Sequence, residues 1–250
     1  MPLNLGLLYL GNWEWLLWVA ILAIVATSEM LNLLVKAGRP PVNWIGPLMV
    51  FVFIVGAWAM PGSSFFYLVG PVLIGSLLLL LLSHFQSNAF ERWGITTAAC
   101  LYTSFLVAYM ILLRDGRNGL WWMGAALTGT WVFDTGAYLV GRRWGQRRLW
   151  PAVSPGKTWE GTIGGVVLAA ALCLATVKAL GLSYPQAIGL GVLIAVLAQL
   201  GDLVESAIKR QVGVKDAGSF LPGHGGILDR IDGLLFSTVG VYYFALLIGK

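Results

Sequence analysis

Residues 186–232 read QAIGLGVLIAVLAQLGDLVESAIKRQVGVKDAGSFLPGHGGILDRID. An apolar run long enough to cross a hydrocarbon core of about 30 Å ends abruptly in carboxylates and cations, and a second apolar run comes directly after them. At helical spacing Asp202, Glu205, Ser206, Lys209 and Arg210 stand at i, i+3, i+4, i+7 and i+8, along one face. A solvated helix end with self-paired charges would carry the same residues. The next residues argue for more: Lys215, Asp216, His224 and Arg230 surround glycines 218, 223, 225 and 226 just ahead of the next helix. Glycines let a backbone approach an anion closely, and a helix N-terminus attracts one through its free N–H groups and dipole.

The rest of the 250-residue chain agrees with a bilayer setting. It is 58% hydrophobic and 11% charged, with 12 Trp, too little polar surface for a soluble fold. Eight candidate spans begin near Trp13, Asn43, Ser64, Trp93, Gly119, Gly161, Gln186 and Ile227. Gly70 and Pro71 interrupt the third, so the count runs from seven to nine. The fold expected is all-α, a polytopic membrane helical bundle with short loops. With the N-terminus outside, 12 of the 16 cations fall on the cytoplasmic side and only Arg114, Arg117, Lys178 and Lys250 outside.

Other classes find little support. The net charge of +5 is spread between apolar runs, which disfavours nucleic acid. Cys100 and Cys173 lie in separate apolar runs, so neither a disulfide framework nor a CxxC site is available. The N-terminal stretch lacks the basic start and cleavage site of a signal peptide, and the first span is expected to stay in the mature protein.

Seven of the eleven acidic residues lie between positions 134 and 232. Residues 1–118 accordingly read as transmembrane scaffold and 119–250 as the catalytic region, with cytoplasmic loops 141–160 and 205–226, in one integrated membrane domain. Asp134 sits inside the fifth span, about six residues from its end and so roughly 9 Å deep. A carboxylate near a span's centre costs about 2.5 to 3.5 kcal/mol to insert, so such residues normally face a cavity. A phosphate at the start of the last span would meet Asp229 and Asp232, which repel it. A divalent ion resolves the conflict: Mg²⁺ takes one or two carboxylates plus phosphate oxygens, and Asp202 and Asp229 are the expected ligands. Lys209, Arg210, Lys215 and Arg230 would neutralise the remaining phosphate charge. His224 reads as a phosphate donor or base, or as a histidine that only hydrogen-bonds its loop.

The segment GRRWGQRRLWPAVSPGKTWEGTIGG, from Gly141, brings four arginines and then Ser154, Lys157, Thr158 and Glu160. A P-loop would need a glycine where Pro151 stands and a preceding strand, so that reading fails. The segment reads as a cationic loop on a helix N-terminus, suited to a triphosphate or to lipid headgroups. Positive-inside anchoring explains the arginines as well, but Ser154 to Glu160 less well.

The run Ser206, Lys209, Arg210, Lys215, Asp216, Gly218, Leu221, Pro222, His224, Gly225, Gly226, Asp229, Arg230 and Asp232 resembles the signature of the phosphatidate cytidylyltransferase (CDP-diacylglycerol synthase) family. Asp134, Ala137, Tyr138, Gly141, Ser154, Pro155, Lys157, Thr158, Glu160 and Gly161 resemble that family's upstream block, with Gly156 standing where relatives often carry lysine. The resemblance implies that CTP and phosphatidic acid give CDP-diacylglycerol and pyrophosphate with Mg²⁺. It points to Asp202 and Asp229 at the metal and Lys209 and Lys215 beside them as catalytic. Ser206, Arg210, Asp216, His224, Arg230, Asp232, Asp134, Ser154, Lys157, Thr158 and Glu160 would line the substrates. The partners expected are CTP and membrane phosphatidic acid, with no nucleic acid and a homodimer left open. A chain this short resembles bacterial members, which implies a multi-pass protein of the inner membrane with its site facing the cytoplasm. The rivals are a CTP-dependent polyprenol or phytol kinase and, from another class, a transporter of anionic metabolites. A phosphatidyl-group transferase is disfavoured, since LLFS comes after Gly233.

Overall fold

Backbone in lipid has no outside partner, so apolar runs close their hydrogen bonds internally as helices. The computed structural model describes residues 2–60, 62–82, 88–218 and 225–248, and they are helical almost throughout. In chain order they form α1 (Pro2–Leu10), α2 (Asn12–Lys36), α3 (Ile45–Ala59) and a 3-10 segment (Gly62–Leu68) that runs into α4 (Val69–Leu82). Next come α5 (Ala89–Cys100), a π-helical segment (Leu101–Phe105), α6 (Leu106–Asp115) and α7 (Gly119–Trp144). A β1–β2 pair (Arg148–Trp150, Ser154–Thr158) precedes α8 (Trp159–Leu174), α9 (Val177–Leu180), α10 (Tyr184–Val212) and α11 (Leu228–Leu247).

Among the described residues five stretches are long and apolar enough to cross a membrane: Asn12–Lys36, Gly62–Leu81, Ala89–Asp115, Tyr184–Val212 and Leu228–Leu247. The chain is thus an integral membrane protein of helical type. The sequence led us to expect eight spans, and the difference has a physical source. The apolar helices α3 and α8 hold only 15 and 16 residues. Helix α7 is 26 residues long but carries Asp134, Arg142 and Arg143. Around the long helices, outward residues are as apolar as inward ones: on α2, Leu17, Ile21 and Ile24 are exposed while Val19, Ala23, Ala26 and Met30 are buried. A helix apolar all round belongs in lipid.

One departure from an all-α chain appears where a cationic loop was expected. Arg148 pairs with Thr158 and Trp150 with Ser154 in a short antiparallel ladder with an irregular register. Thr158 then caps α8, its Oγ1 accepting the Gly161 N–H at 3.2 Å. Helix α10 starts on a capping box, in which the Ser183 and Gln186 side chains each accept the other's backbone N–H, with Pro185 in the first turn.

The chain divides into two compact units. The first comprises Met1–Tyr9, Arg117–Lys215 and Asp229–Lys250; the second comprises Leu10–Gly116 and Asp216–Leu228. In the first, helices approach through small residues, as membrane bundles require where no hydrophobic force draws helices together. Gly136 and Gly141 of α7 face Gly165 and Gly161 of α8, and Gly191 of α10 lies against the backbone of Ala169 and Ala170. Phe133, Ala169, Ala195 and Ala198 fill the space between, and Thr130 of α7 bonds Ser237 of α11 at 2.8 Å. A Cβ on Gly165 would come 2.7 Å from the Phe133 carbonyl oxygen, a backbone atom that cannot step aside. Gly165→Val is therefore expected to cost about 1–3 kcal/mol or more, read as a lower midpoint of thermal inactivation in detergent. An unchanged midpoint would contradict the α7–α8 packing.

In the second unit, Phe53, Phe65, Phe66, Phe105 and Tyr109 pack as one aromatic group, mostly edge to face. The π-helical segment turns Thr103 toward Thr27, with the two hydroxyls 2.8 Å apart.

Candidate active site

Within the first unit, α7, α8, α10 and the β1–β2 pair enclose a cavity of about 650 Å³, inside the roughly 300–1,000 Å³ range of ligand sites. Asp134, Tyr138 and Arg142 reach it from α7, Arg148 from β1, and Ser154, Lys157 and Thr158 from β2; Thr162 completes it from α8, and Gln199 and Asp202 from α10. Its chemistry is divided: carboxylates on the α7 and α10 walls, cations on the hairpin and the end of α7.

Lys157 Nζ lies 2.5 Å from Asp202 Oδ2, and Ser206 Oγ donates to Asp202 Oδ1 at 3.3 Å. Asp134 lines the same cavity from α7. Asp232 reaches the level of Asp202 through a close crossing. Gly201 of α10 sits so near α11 that a Cβ there would meet the Asp232 carbonyl oxygen at 2.4 Å. Asp232 Oδ1 also accepts the Gly233 N–H at 2.7 Å.

A second cluster lies one helical turn along. The Lys209 ammonium bridges the buried Glu205 carboxylate and Asp229, at 2.6 Å from Asp229 Oδ1. Asp202 and Asp229, read from the sequence as one metal pair, thus fall in adjacent clusters, each facing a lysine. Among the described residues no three His, Cys, Asp or Glu side chains converge as a metal cage would.

The other expected residues divide clearly. Glu160 accepts the backbone N–H of Gln146 at 3.1 Å and of Arg147 at 3.2 Å. With Thr158 at the α8 cap, both side chains therefore hold the hairpin in place. Arg210 is exposed and donates to the carbonyls of Val153 and Val214 at 3.4 Å. Lys215 and Asp216 are exposed in the turn after α10, and Arg230 is exposed on α11. His224 lies outside the described residues.

Several contributors received no individual role in the reading of the sequence. Gln199 lines the cavity and is 7% exposed; its Oε1 accepts from Thr162 Oγ1 at 3.0 Å, and its buried Nε2 has no hydrogen-bond partner among the described residues. A polar residue three positions before Asp202 in an apolar run was the signal for it. Glu205 sat on the charged stripe but received no role. Tyr138 accepts from Arg142 at 3.3 Å on the cavity wall. Glu29, in the second unit, accepts the backbone N–H groups of Ile227 at 3.1 Å and Leu228 at 2.8 Å. The anion at the start of α11 is therefore a protein carboxylate, where the sequence had suggested a substrate phosphate.

The chain resembles known proteins over most of its length. Residues 1–248 match the model of the cytidylyltransferase family. The phosphatidate cytidylyltransferase of Bacillus subtilis (strain 168) is 39% identical over 212 residues, covering 80% of this chain and 76% of that protein. That of Staphylococcus aureus (strain COL) is 35% identical over 237 residues, covering 93% and 90%, and that of Staphylococcus haemolyticus is 33% identical over 240 residues. With nearly every residue matched and relatives aligned over most of their own length, the chain belongs to the cytidylyltransferase family.

Proposed function

We propose that the protein makes CDP-diacylglycerol and pyrophosphate from CTP and phosphatidic acid. The observation that carries this reading is the 650 Å³ cavity, where Arg142, Arg148 and Lys157 face Asp134 and Asp202, in a chain whose relatives bear the phosphatidate cytidylyltransferase name. A phosphatidate phosphate oxygen bonds to the α-phosphorus of CTP, the bond from that phosphorus to the α–β bridging oxygen breaks, and pyrophosphate leaves. The nucleophile is already an anion, so no base is needed, and the site has to position and neutralise.

In this reading the hairpin cations hold the triphosphate, and Lys209 and Lys215 neutralise charge at the lipid phosphate, with Arg210 and Arg230 at the rim. The donor set suits Mg²⁺, which asks for one or two carboxylates and takes its other oxygens from phosphate and water. Asp202 and Asp229 would hold it, and Asp134 and Asp232 add negative charge around it. When bound, the ion draws charge from the reacting phosphate oxygens. Lys157 and Lys209, now resting on the two carboxylates, would then turn to phosphate.

Eight spans fit this proposal: the five long apolar stretches with α3, α7 and α8. The cytoplasmic excess of cations supports placing the cavity where CTP is available, at the depth of a phosphatidate headgroup, in a bacterial inner membrane. Lys157→Met is expected to raise KM for CTP by about 10-fold, the worth of one charged hydrogen bond, with a smaller change in kcat. Initial rates across CTP concentration measure it, and an unchanged KM would remove Lys157 from the nucleotide wall.

A further inference from the structure

We propose that Glu29 is a positioning residue for the transfer reaction, acting from inside the turn that opens α11. This rests on the function proposed above. Glu29 belongs to α2, about two turns before its end, and is 6% exposed. Its two carboxylate oxygens divide two consecutive amides between them: Oε1 takes the Ile227 N–H at 3.1 Å and Oε2 the Leu228 N–H at 2.8 Å. These are orphan donors of a helix start, for which a carboxylate is the best partner by both hydrogen bonding and dipole.

Two glycines, Gly218 and Gly226, lie directly against this group. A Cβ on Gly218 would lie 2.3 Å from Glu29 Oε1, and one on Gly226 2.5 Å from Oε2. Backbone therefore closes on the carboxylate from two sides at places where any side chain would expel it. The residue after Leu228 is Asp229, so the bond that fixes the first amides of α11 also fixes where the helix presents its first acidic side chain. Burying an acid in a membrane helix is costly, and here the return is a defined helix start. Among the described residues the hydrogen-bond partners of Glu29 are backbone N–H groups, which separates it from residues that would touch substrate.

Two variants and one double variant test this in purified full-length protein. Glu29→Gln keeps the shape but sets an amide N–H₂ against a backbone N–H. We expect hydrogen exchange in residues 225–232 to quicken about 10-fold, and kcat to fall about 10- to 100-fold with KM for CTP within about threefold. Gly226→Ala should act in the same direction by crowding Oε2. In a Glu29→Ala background, which vacates that space, Gly226→Ala should cost little more, a non-additivity that general destabilisation does not produce. Exchange and kcat within about twofold of wild type in Glu29→Gln, or fully multiplicative effects of Glu29→Ala and Gly226→Ala, would overturn the proposal. Wild-type protein without cytidylyl transfer would count against the function instead, and the exchange data would still decide whether Glu29 holds the turn.

Discussion

Asp229→Asn is expected to lower kcat/KM for cytidylyl transfer by about 10²- to 10³-fold while the protein stays folded. Asparagine keeps the size of the side chain, so packing at the start of α11 is undisturbed. The loss is electrostatic. Lys209 is shared between Glu205 and Asp229; without the second charge it settles on Glu205, away from any phosphate. The proposed metal also loses a charged ligand. Labelled CTP with phosphatidate in mixed micelles measures the rate, and size-exclusion chromatography controls for folding. Activity within about threefold of wild type would remove Asp229 from the reaction.

The second large effect concerns Asp202 and divalent cations. Treatment with EDTA is expected to bring wild-type turnover to background, and Mg²⁺ to restore it. In Asp202→Asn, half-maximal restoration should need at least about 10-fold more Mg²⁺, the usual scale for a weakened metal site. Asp202 is suited to this role because it lines the cavity together with Asp134 and already faces an ammonium. Turnover that persists in EDTA, or an unshifted Mg²⁺ requirement in the variant, would rule out this part of the mechanism.

Much of the site could be read from spacing along one helix. Asp202, Glu205, Ser206 and Lys209 are neighbours on α10 because 3.6 residues make a turn, and the structure keeps them so. What spacing cannot encode is where a second helix crosses. Gly201, one residue from Asp202, lets α11 approach at the level of Asp232 and leaves Asp229 with Lys209. The same limit hid Glu29, whose partners are 198 and 199 residues away. Taken alone, an acid in an apolar run shows only that it needs a partner. The β1–β2 pair escaped for another reason: arginine, proline and glycine give strands of 3 and 5 residues no alternating pattern. Span ends were legible where a polar residue or glycine broke the run, while α3 and α8 proved shorter than lipid thickness alone suggests.

The central claim is transfer of the cytidylyl group to a lipid phosphate, and the identity of the leaving group tests it most directly. Purified protein would be given phosphatidic acid and CTP labelled either at the α- or at the γ-phosphate. The expected result is α-label in the lipid product, γ-label released as pyrophosphate, and equal amounts of the two products. Release of CDP with γ-label transferred to lipid would contradict it and identify a CTP-dependent kinase.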